Sequence, residues 1–383
     1  MTEALPDLRP SQASPLGVYL HIPFCRQRCH YCSFNTGPYR PAAMERFLRA
    51  LLREIDLAGE AAWAGDVTVG TVFFGGGTPS LLETDELETI LDRLMKRFAL
   101  APTAEITVEC NPESLSHDKT EGYRLAGVNR VSLGVQSLDD DLLMRLGRLH
   151  SRTEAWRAFE DARAAGIDNL SVDLMYGLPG LDLALWESTV GEILAWEPEH
   201  LSAYALTLDE GSRWAGEGVA GLPDEETVTA QYWTLARLAR EAGYEHYEIS
   251  NYARPGRRSR HNQVYWRGEE YLAFGPGACG FLGDVRYGNV KPVERYCAML
   301  EAGRLPLGTH EVLTAAQRKA EKLILGLRLA DGVPLAALED RRPLIDTWQS
   351  LGLLEVAGGR CRLTEAGILV SDSLFVDLLP THP

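Results

Sequence analysis

No stretch of this sequence is apolar for long enough to span a bilayer. Its start, Met1 to Pro15, is polar and proline-bearing, not basic and then apolar as a secretory signal is. The expectation is a soluble cytoplasmic protein with no stable membrane insertion. Positive charge is also scarce. Lys and Arg number 38 against 54 Asp and Glu, for a net charge of −16. That balance argues against a general nucleic-acid binder, which needs a positive face to displace counterions. There is no internal repeat, and no low-complexity segment beyond the N-terminal tail. Cysteine is sparse: seven in 383 residues, an odd number with three crowded together. Such usage argues against a disulfide framework and points to a reducing compartment and a metal site. The remaining balance, 45% hydrophobic and 24% charged residues, is ordinary for a globular enzyme with a large domain and a small one.

The crowded cysteines are Cys25, Cys29 and Cys32, in a short loop after the strand-like run Val18–Ile22. Thiolates are the usual ligands of iron–sulfur clusters, and a cubane cluster has four irons, so three cysteines leave one iron open. An open position is where ligands exchange. That count separates the loop from a ferredoxin site and from a four-ligand zinc site; a zinc knuckle is the competing reading. Cys110, Cys279, Cys297 and Cys361 are scattered and read as buried small hydrophobes.

Strand-like and helix-like segments alternate from Leu16 to about Tyr252. The strands are expected at Val18–Ile22, Thr71–Phe74, Glu105–Cys110, Val131–Val135, Leu170–Met175 and Ser202–Leu206, each rich in β-branched or aromatic residues. Between them run helical stripes such as Phe47, Leu48, Leu51, Leu52, Ile55 and Leu87, Ile90, Leu91, Leu94, Phe98. About six βα units imply an α/β fold, a parallel sheet rolled into a partial, open β/α barrel over residues 16–250. A tail of residues 1–15 is expected to be flexible. An aperiodic region rich in Arg, Gly and aromatics, 251–310, reads as an elaboration beside the barrel. In 311–383, helices followed by the glycine-turned hairpin Leu354 to Leu363 predict a winged-helix-like domain. It is not basic, so it reads as a packing or docking module.

In such barrels the chemistry sits at the C-terminal strand ends. Cys25 follows the first strand, Gly75-Gly-Gly-Thr78-Pro79 the second, Glu109 ends the third, Gln136 follows the fourth, and Asp173 lies near the end of the fifth. Glycines there let backbone approach a ligand closely. Carboxylates and an amide can hold hydroxyls and an ammonium, and an arginine can pair with a carboxylate.

The CxxxCxxC spacing after His21-Ile-Pro-Phe24 resembles the signature of the radical S-adenosylmethionine (SAM) superfamily. Tyr19, His21 and Tyr31 around it are similar to the oxygen-independent coproporphyrinogen III oxidase group. The resemblance runs from about Leu16 to Leu379. It implies a radical SAM type barrel with a [4Fe–4S] cluster on Cys25, Cys29 and Cys32. It implies SAM held by Tyr19, Tyr31, Gly76, Gly77, Thr78, Glu109, Gln136, Arg148 and Asp173, with the methionyl amino end at the glycines.

Two features set the subgroup. The oxidases proper continue to a fourth cysteine, where this chain has Phe34, and they carry a longer segment ahead of the loop than the 24 residues here. The word His261-Asn-Gln-Val-Tyr265-Trp266 resembles the HNxxYW motif of the HemW-type heme chaperones. That likeness implies heme as cargo and a heme-accepting protein, a respiratory enzyme among the options, as partner. His261 is then a candidate iron ligand, with His21, His30 and His246 as competitors. Tyr265 and Trp266 suit a porphyrin face. Arg254, Arg257, Arg258, Arg260 and Arg267, anomalous in an acidic chain, suit propionates. The likeness does not establish SAM turnover, so whether the chain is an enzyme stays open, as does a homodimer. The alternative is a genuine coproporphyrinogen III oxidase, against which Phe34 and HNQVYW both speak. A weaker alternative is a radical SAM oxidoreductase or methyltransferase acting on another large substrate.

Overall fold

The computed structural model describes residues 8–11 and 15–380. Six strands stand where the apolar runs place them: β1 (Leu16–Ile22), β2 (Thr68–Gly76), β3 (Ala99–Cys110), β4 (Arg130–Gln136), β5 (Leu170–Tyr176) and β6 (His200–Ala205). They lie side by side in chain order, each parallel to the next. Helices return the chain between them, as parallel pairing requires. The helix Pro41–Ala58 buries Met44, Phe47, Leu51 and Ile55 against the sheet, with Leu48 and Leu52 half-buried at its margin. The helix Thr84–Arg97 buries Leu87, Ile90, Leu91 and Leu94, as the 3.6-residue period predicts.

The sheet stays open, and both edges are extended. Beyond β6 come β7 (Glu245–Glu248) and β8 (Asn251–Ala253), with β8 antiparallel to both neighbours. Beyond β1 lies β9 (Tyr271–Phe274), parallel to it, and then the antiparallel strands β10 (Cys279–Leu282), β11 (Val285–Asn289) and β12 (Leu307–Val312). The expectation of an elaboration packed beside the barrel is therefore corrected. Much of 251–310 is sheet, in strands too short and too broken by glycine to show a two-residue period. Cys279 begins β10 and is exposed, against the expectation for it, whereas Cys110, Cys297 and Cys361 are buried.

The C-terminal segment has its own core, built on Leu323, Leu327, Leu338, Ile345, Trp348, Leu354 and Phe375. Its elements are the helices Ala315–Arg328 and Arg342–Ser350 and a three-stranded sheet of Val333–Pro334, Arg360–Leu363 and Leu354–Ala357, the expected winged-helix-like order. It is joined to the barrel by Ala330 N–H donating to the Tyr247 carbonyl (2.9 Å), by Arg328 against buried Glu248 (3.5 Å) and by Arg258 bridging Glu245 and Asp331. Most of the expected flexible tail lies outside the described residues. Its described part is held in place: Trp63 Nε1 donates to the Leu8 carbonyl (2.8 Å) and Ser11 N–H to Glu270 (2.8 Å). No helix among the described residues is long and apolar enough to cross a membrane.

One buried carboxylate fixes the β9 end. Glu54, on the apolar stripe of its helix, accepts from Gly275 N–H (2.8 Å), the Asn289 amide (2.6 Å) and the Tyr296 hydroxyl (2.5 Å). Gly275 in turn presses on the site side: a Cβ there would lie 2.4 Å from the His21 carbonyl oxygen. Glu54→Ala would leave three buried donors unpaired. At about 1–3 kcal/mol for a lost buried partner, urea unfolding should show a loss of about 3 kcal/mol. Glu45→Ala, on the exposed face of the same helix, should change little. Equal effects would remove Glu54 from this role.

Candidate functional site

The C-terminal ends of β1 and β2 are locked together by backbone. Gly77 N–H donates to the Ile22 carbonyl and Thr78 N–H to that of Phe24, both at 2.8 Å. A Cβ on Gly77 would sit 2.6 Å from the Phe24 carbonyl oxygen, and one on Gly76, at φ +108°, would sit 2.5 Å from the His21 ring. The glycines are thus demanded first by the protein's own atoms.

The cysteine loop leaves from this junction. Tyr39 N–H donates to the Cys25 carbonyl, His30 N–H to Leu146 and Trp214 N–H to His30 (2.8–3.0 Å). Cys25, Cys29 and Cys32 are unpaired and half-buried, and all three line one cavity of about 370 Å³. Gly76, Gly77, Thr78, Glu109, Gln136, Arg148, Asp173 and Tyr31 line it too. Of the residues named from the sequence for SAM, only Tyr19 is not on its wall. Tyr19 stands behind Gly75, whose Cβ would lie 2.9 Å from the tyrosine ring, and donates to His21 Nδ1 (3.1 Å) while His21 Nε2 donates to the Asn35 carbonyl (2.9 Å).

The cavity sets two carboxyl groups within a mostly apolar lining. Burial pushes the Glu109 carboxyl up to about 8, with the Asp173 charge adding to the shift and Gly76 N–H (3.3 Å) opposing it. Burial pushes Asp173 up to about 6 against the hydrogen bonds of its serine neighbours. Arg148 donates to Asn111 Oδ1 (2.8 Å) and the Gly134 carbonyl (2.7 Å) and places Nη1 3.6 Å from Cys29 Sγ. Its Nε is buried with no partner among the described residues. Gln136 holds φ at +67°, unusual outside glycine and found where a site dictates backbone. Sequence reasoning missed Asn111, Ser132 and Tyr204. Ser132 precedes Gln136 by four residues on the same strand and face, so counting back along that strand would have found it; Asn111 follows the last residue of β3, two beyond Glu109.

No three acidic, histidine or cysteine donors among the described residues converge closely enough for a single metal ion. Three thiols facing a shared cavity, beside an orphaned arginine nitrogen, fit a polynuclear cluster with an exchangeable position. Burial pushes the Cys25 and Cys32 thiols up, so bound iron would have to favour their thiolates.

The second expected site is placed differently. His261, on the helix Arg260–Trp266, is buried, with Nδ1 on Thr71 Oγ1 and Nε2 on the Tyr265 hydroxyl, both at 2.8 Å. Its ring stacks on Phe73, centroids 5.0 Å apart. With both nitrogens engaged inside the fold, His261 presents none to an iron, and that expectation is corrected. The arginines are dispersed too. Arg254 faces Glu197, Arg257 faces Asp168, Arg258 joins Glu245 and Asp331, Arg260 donates to the Thr103 carbonyl and Arg267 to Gln263. Tyr265 and Trp266 do reach cavities, of about 410 and 550 Å³, where this helix meets Ala315–Arg328. Trp266 also lies under Arg328, 4.4 Å from its guanidinium carbon.

Two outcomes test the cofactor cavity. Gly77→Ala should lose the junction and with it both iron content and SAM binding; retention of either at wild-type level would refute the backbone role. Glu109 keeps, between about pH 4.5 and 8, a proton that the unfolded chain has shed, so a rise in pH costs stability across that window. Glu54, pushed up to about 7 by burial, adds to this only at the lower end. Thermal unfolding of metal-free protein should therefore fall between pH 7 and 8, and Glu109→Gln should flatten that fall. An unchanged slope would place the titration elsewhere.

The comparisons with known proteins agree with this geometry. The radical SAM superfamily pattern matches residues 19–193, and the HemN C-terminal domain pattern matches residues 313–370. The chain is 40% identical to heme chaperone HemW of Mycobacterium tuberculosis strain H37Rv, over 98% of this chain and 97% of that one. It is 35% identical to heme chaperone HemW of Bacillus subtilis strain 168, over 94% and 97%. Its fold resembles the solved structure of coproporphyrinogen III oxidase (HemN) from Escherichia coli, a radical SAM enzyme, with a TM-score of 0.84 at 22% identity, covering 95% of this chain and 90% of that one. The chain belongs to the HemW family of heme chaperones, within the radical SAM superfamily.

Proposed function

We propose that the chain is a cytoplasmic heme chaperone that carries a [4Fe–4S] cluster, binds SAM and delivers heme to an acceptor protein. The observation that carries the cofactor reading is the single cavity shared by three unpaired thiols, the Gly76–Thr78 backbone, Glu109, Asp173 and Arg148. Cys25, Cys29 and Cys32 would hold the cluster, which in its reduced state supplies an electron to SAM. The protein's own part is binding. Arg148, with its unpartnered Nε, suits the methionyl carboxylate, and Glu109 and Asp173 suit the ammonium and ribose hydroxyls. The same cavity keeps these groups poorly hydrated, so each contact counts for more than it would in water.

For heme, the reading rests on the relatives' function and on the cleft at Tyr265 and Trp266. Tyr265, Tyr271, Phe281 and Leu325 give its first chamber apolar walls; of the cations there, Arg286 pairs with Glu311 and Glu321, Arg318 with Asp284 and Lys319 with Asp340, so the propionates would have to exchange with these carboxylates or meet Lys322. The macrocycle would lie on the aromatic walls and the propionates on the cations, in place of the arginine segment. Phe34 is exposed at the cofactor cavity where the oxidases carry a further cysteine, and it favours carriage of heme over coproporphyrinogen chemistry.

The test uses one cluster-reconstituted preparation. It should bind four irons per chain, and Cys29→Ala should lose them, while Cys361→Ala keeps them. Coproporphyrinogen III with SAM and reductant should give no protoporphyrinogen; multiple turnovers would favour the oxidase. In a heme titration, Phe281→Ala with Lys322→Glu should weaken binding about tenfold, roughly 1.4 kcal/mol, and Arg257→Ala should not. The reverse pattern would return heme to the arginine segment.

A further inference from the structure

Around Asp173, the inner faces of β4, β5 and β6 carry serines and a histidine to which the cofactor reading gives no part. Ser132 and Ser171 are register partners on β4 and β5, Ser171 and His200 are partners on β5 and β6, and Asp173 lies two residues beyond Ser171 on the same face. Ser132 Oγ donates to both Asp173 oxygens, at 3.0 and 3.2 Å. Ser171 Oγ lies 3.4 Å from Asp173 Oδ1 and 2.8 Å from His200 Nδ1, and His200 Nε2 lies 2.8 Å from the Tyr247 hydroxyl. An ionised carboxylate only accepts, and one order of protons in this chain gives it the Ser171 hydroxyl as well. Ser171 donates to Asp173, His200 Nδ1–H donates to Ser171, and the Tyr247 hydroxyl donates to His200 Nε2. Ser202, the β6 register partner of Asp173, instead gives its proton to Asn251 Oδ1 (2.6 Å).

Ser171 and His200 are fully buried, and Arg130 is 2% exposed. Arg130 donates to Asn169 Oδ1 (3.0 Å), and its Nε has no partner among the described residues. Its charge favours an ionised Asp173 and, with burial, holds His200 well below its usual range. A neutral His200 is what the proton order requires. The other titratable groups facing Asp173 are Glu109 and Cys110 on β3 and Tyr204 on β6, with Glu248 on β7 acting on Tyr204; Arg148 lines the same cavity.

We propose that Ser132 and Ser171, backed by the His200–Tyr247 pair and Arg130, are positioning residues that keep Asp173 ionised and aimed into the cavity as an acceptor for SAM. Asp173 touches the ligand; the others act through it. This rests on the reading of the cavity as the SAM site.

The experiment has two arms. In ligand-free protein, the Asp173 carboxyl is followed by ¹³C NMR against pH, assigned with Asp173→Asn. Its midpoint, near pH 6 in the native chain, should move upward in Ser132→Ala and further in Ser132→Ala/Ser171→Ala. In calorimetry with SAM, loss of one hydrogen bond to a charged group should raise the midpoint by about one unit, so Ser132→Ala should bind about fivefold more weakly at pH 6 and recover nearly all of that at pH 8.5. In an Asp173→Asn background, adding Ser132→Ala should change nothing further. An unmoved midpoint overturns the proposal. So does an equal loss on the Asp173→Asn background, because the serine would then act on the fold. Failure of wild type to bind SAM would refute the SAM reading, and the titration arm would still decide whether the serines control Asp173.

Discussion

Two backbone hydrogen bonds, from Gly77 to Ile22 and from Thr78 to Phe24, join the ends of the first two strands. Much of the site follows from that contact. Parallel strands leave their C-terminal ends on one edge, but an edge is only a row of loops until something fixes the loops to each other. Here the approach is so close that no side chain fits at Gly77. The cysteine loop starts at the same junction, so its thiols are placed relative to the glycine turn by main chain, which few surface substitutions disturb. His21 completes the arrangement. Its ring closes the space behind Gly76 while its Nε2 ties the strand to the Asn35 carbonyl.

Charge is organised around the same edge. The chain is strongly acidic overall, yet the cavity holds two carboxyl groups that burial pushes upward, about 8 for Glu109 and about 6 for Asp173. Two poorly hydrated carboxylates resist ionising together. A cationic ligand removes that conflict, and SAM brings a sulfonium and an ammonium. The difference in environment also separates the two groups. Glu109 has one backbone donor, whereas Asp173 has hydroxyl donors and the Arg130 charge behind it. Asp173 is thus the carboxylate that is ready at neutral pH, and Glu109 the one whose charge awaits a partner.

The strands of the barrel were legible because each is a short apolar run bounded by turn residues, and the site residues because they cluster at the strand ends. What escaped the sequence did so for physical reasons. Strands β10, β11 and β12 each carry a glycine, Gly280, Gly288 and Gly308, which interrupts the side-chain alternation that marks a strand. Glu54 sits on an apolar stripe as a lone acid, and nothing local shows that its three donors arrive from residues 275, 289 and 296. The arginines between 254 and 267 looked like one patch because they are close in sequence. In space the chain turns through β8, a loop and a short helix, so they point to Glu197, Asp168, Glu245, Thr103 and Gln263 in turn.

His261 shows why a motif can mark a function without its histidine touching the ligand. It is clamped between Thr71 on β2 and the Tyr265 hydroxyl, and its ring lies flat on Phe73. Phe73 stacks in turn on Tyr19, centroids 6.3 Å apart, and Tyr19 stands behind Gly75 at the cofactor cavity. On the far side Tyr265 packs edge-on against Tyr271, centroids 4.7 Å apart, and both line the cleft beneath the C-terminal domain. A continuous wall of rings therefore separates the two cavities. Trp266 binds the same helix to Arg328, and Ser259 and Gln263 close its ends through Asn262 N–H and Arg267. His261, Gln263 and Tyr265 are each hydrogen-bonded within this wall, whereas the Trp266 indole N–H is buried with no partner among the described residues. A histidine so placed joins the walls of the two cavities through its two hydrogen bonds and its stack on Phe73.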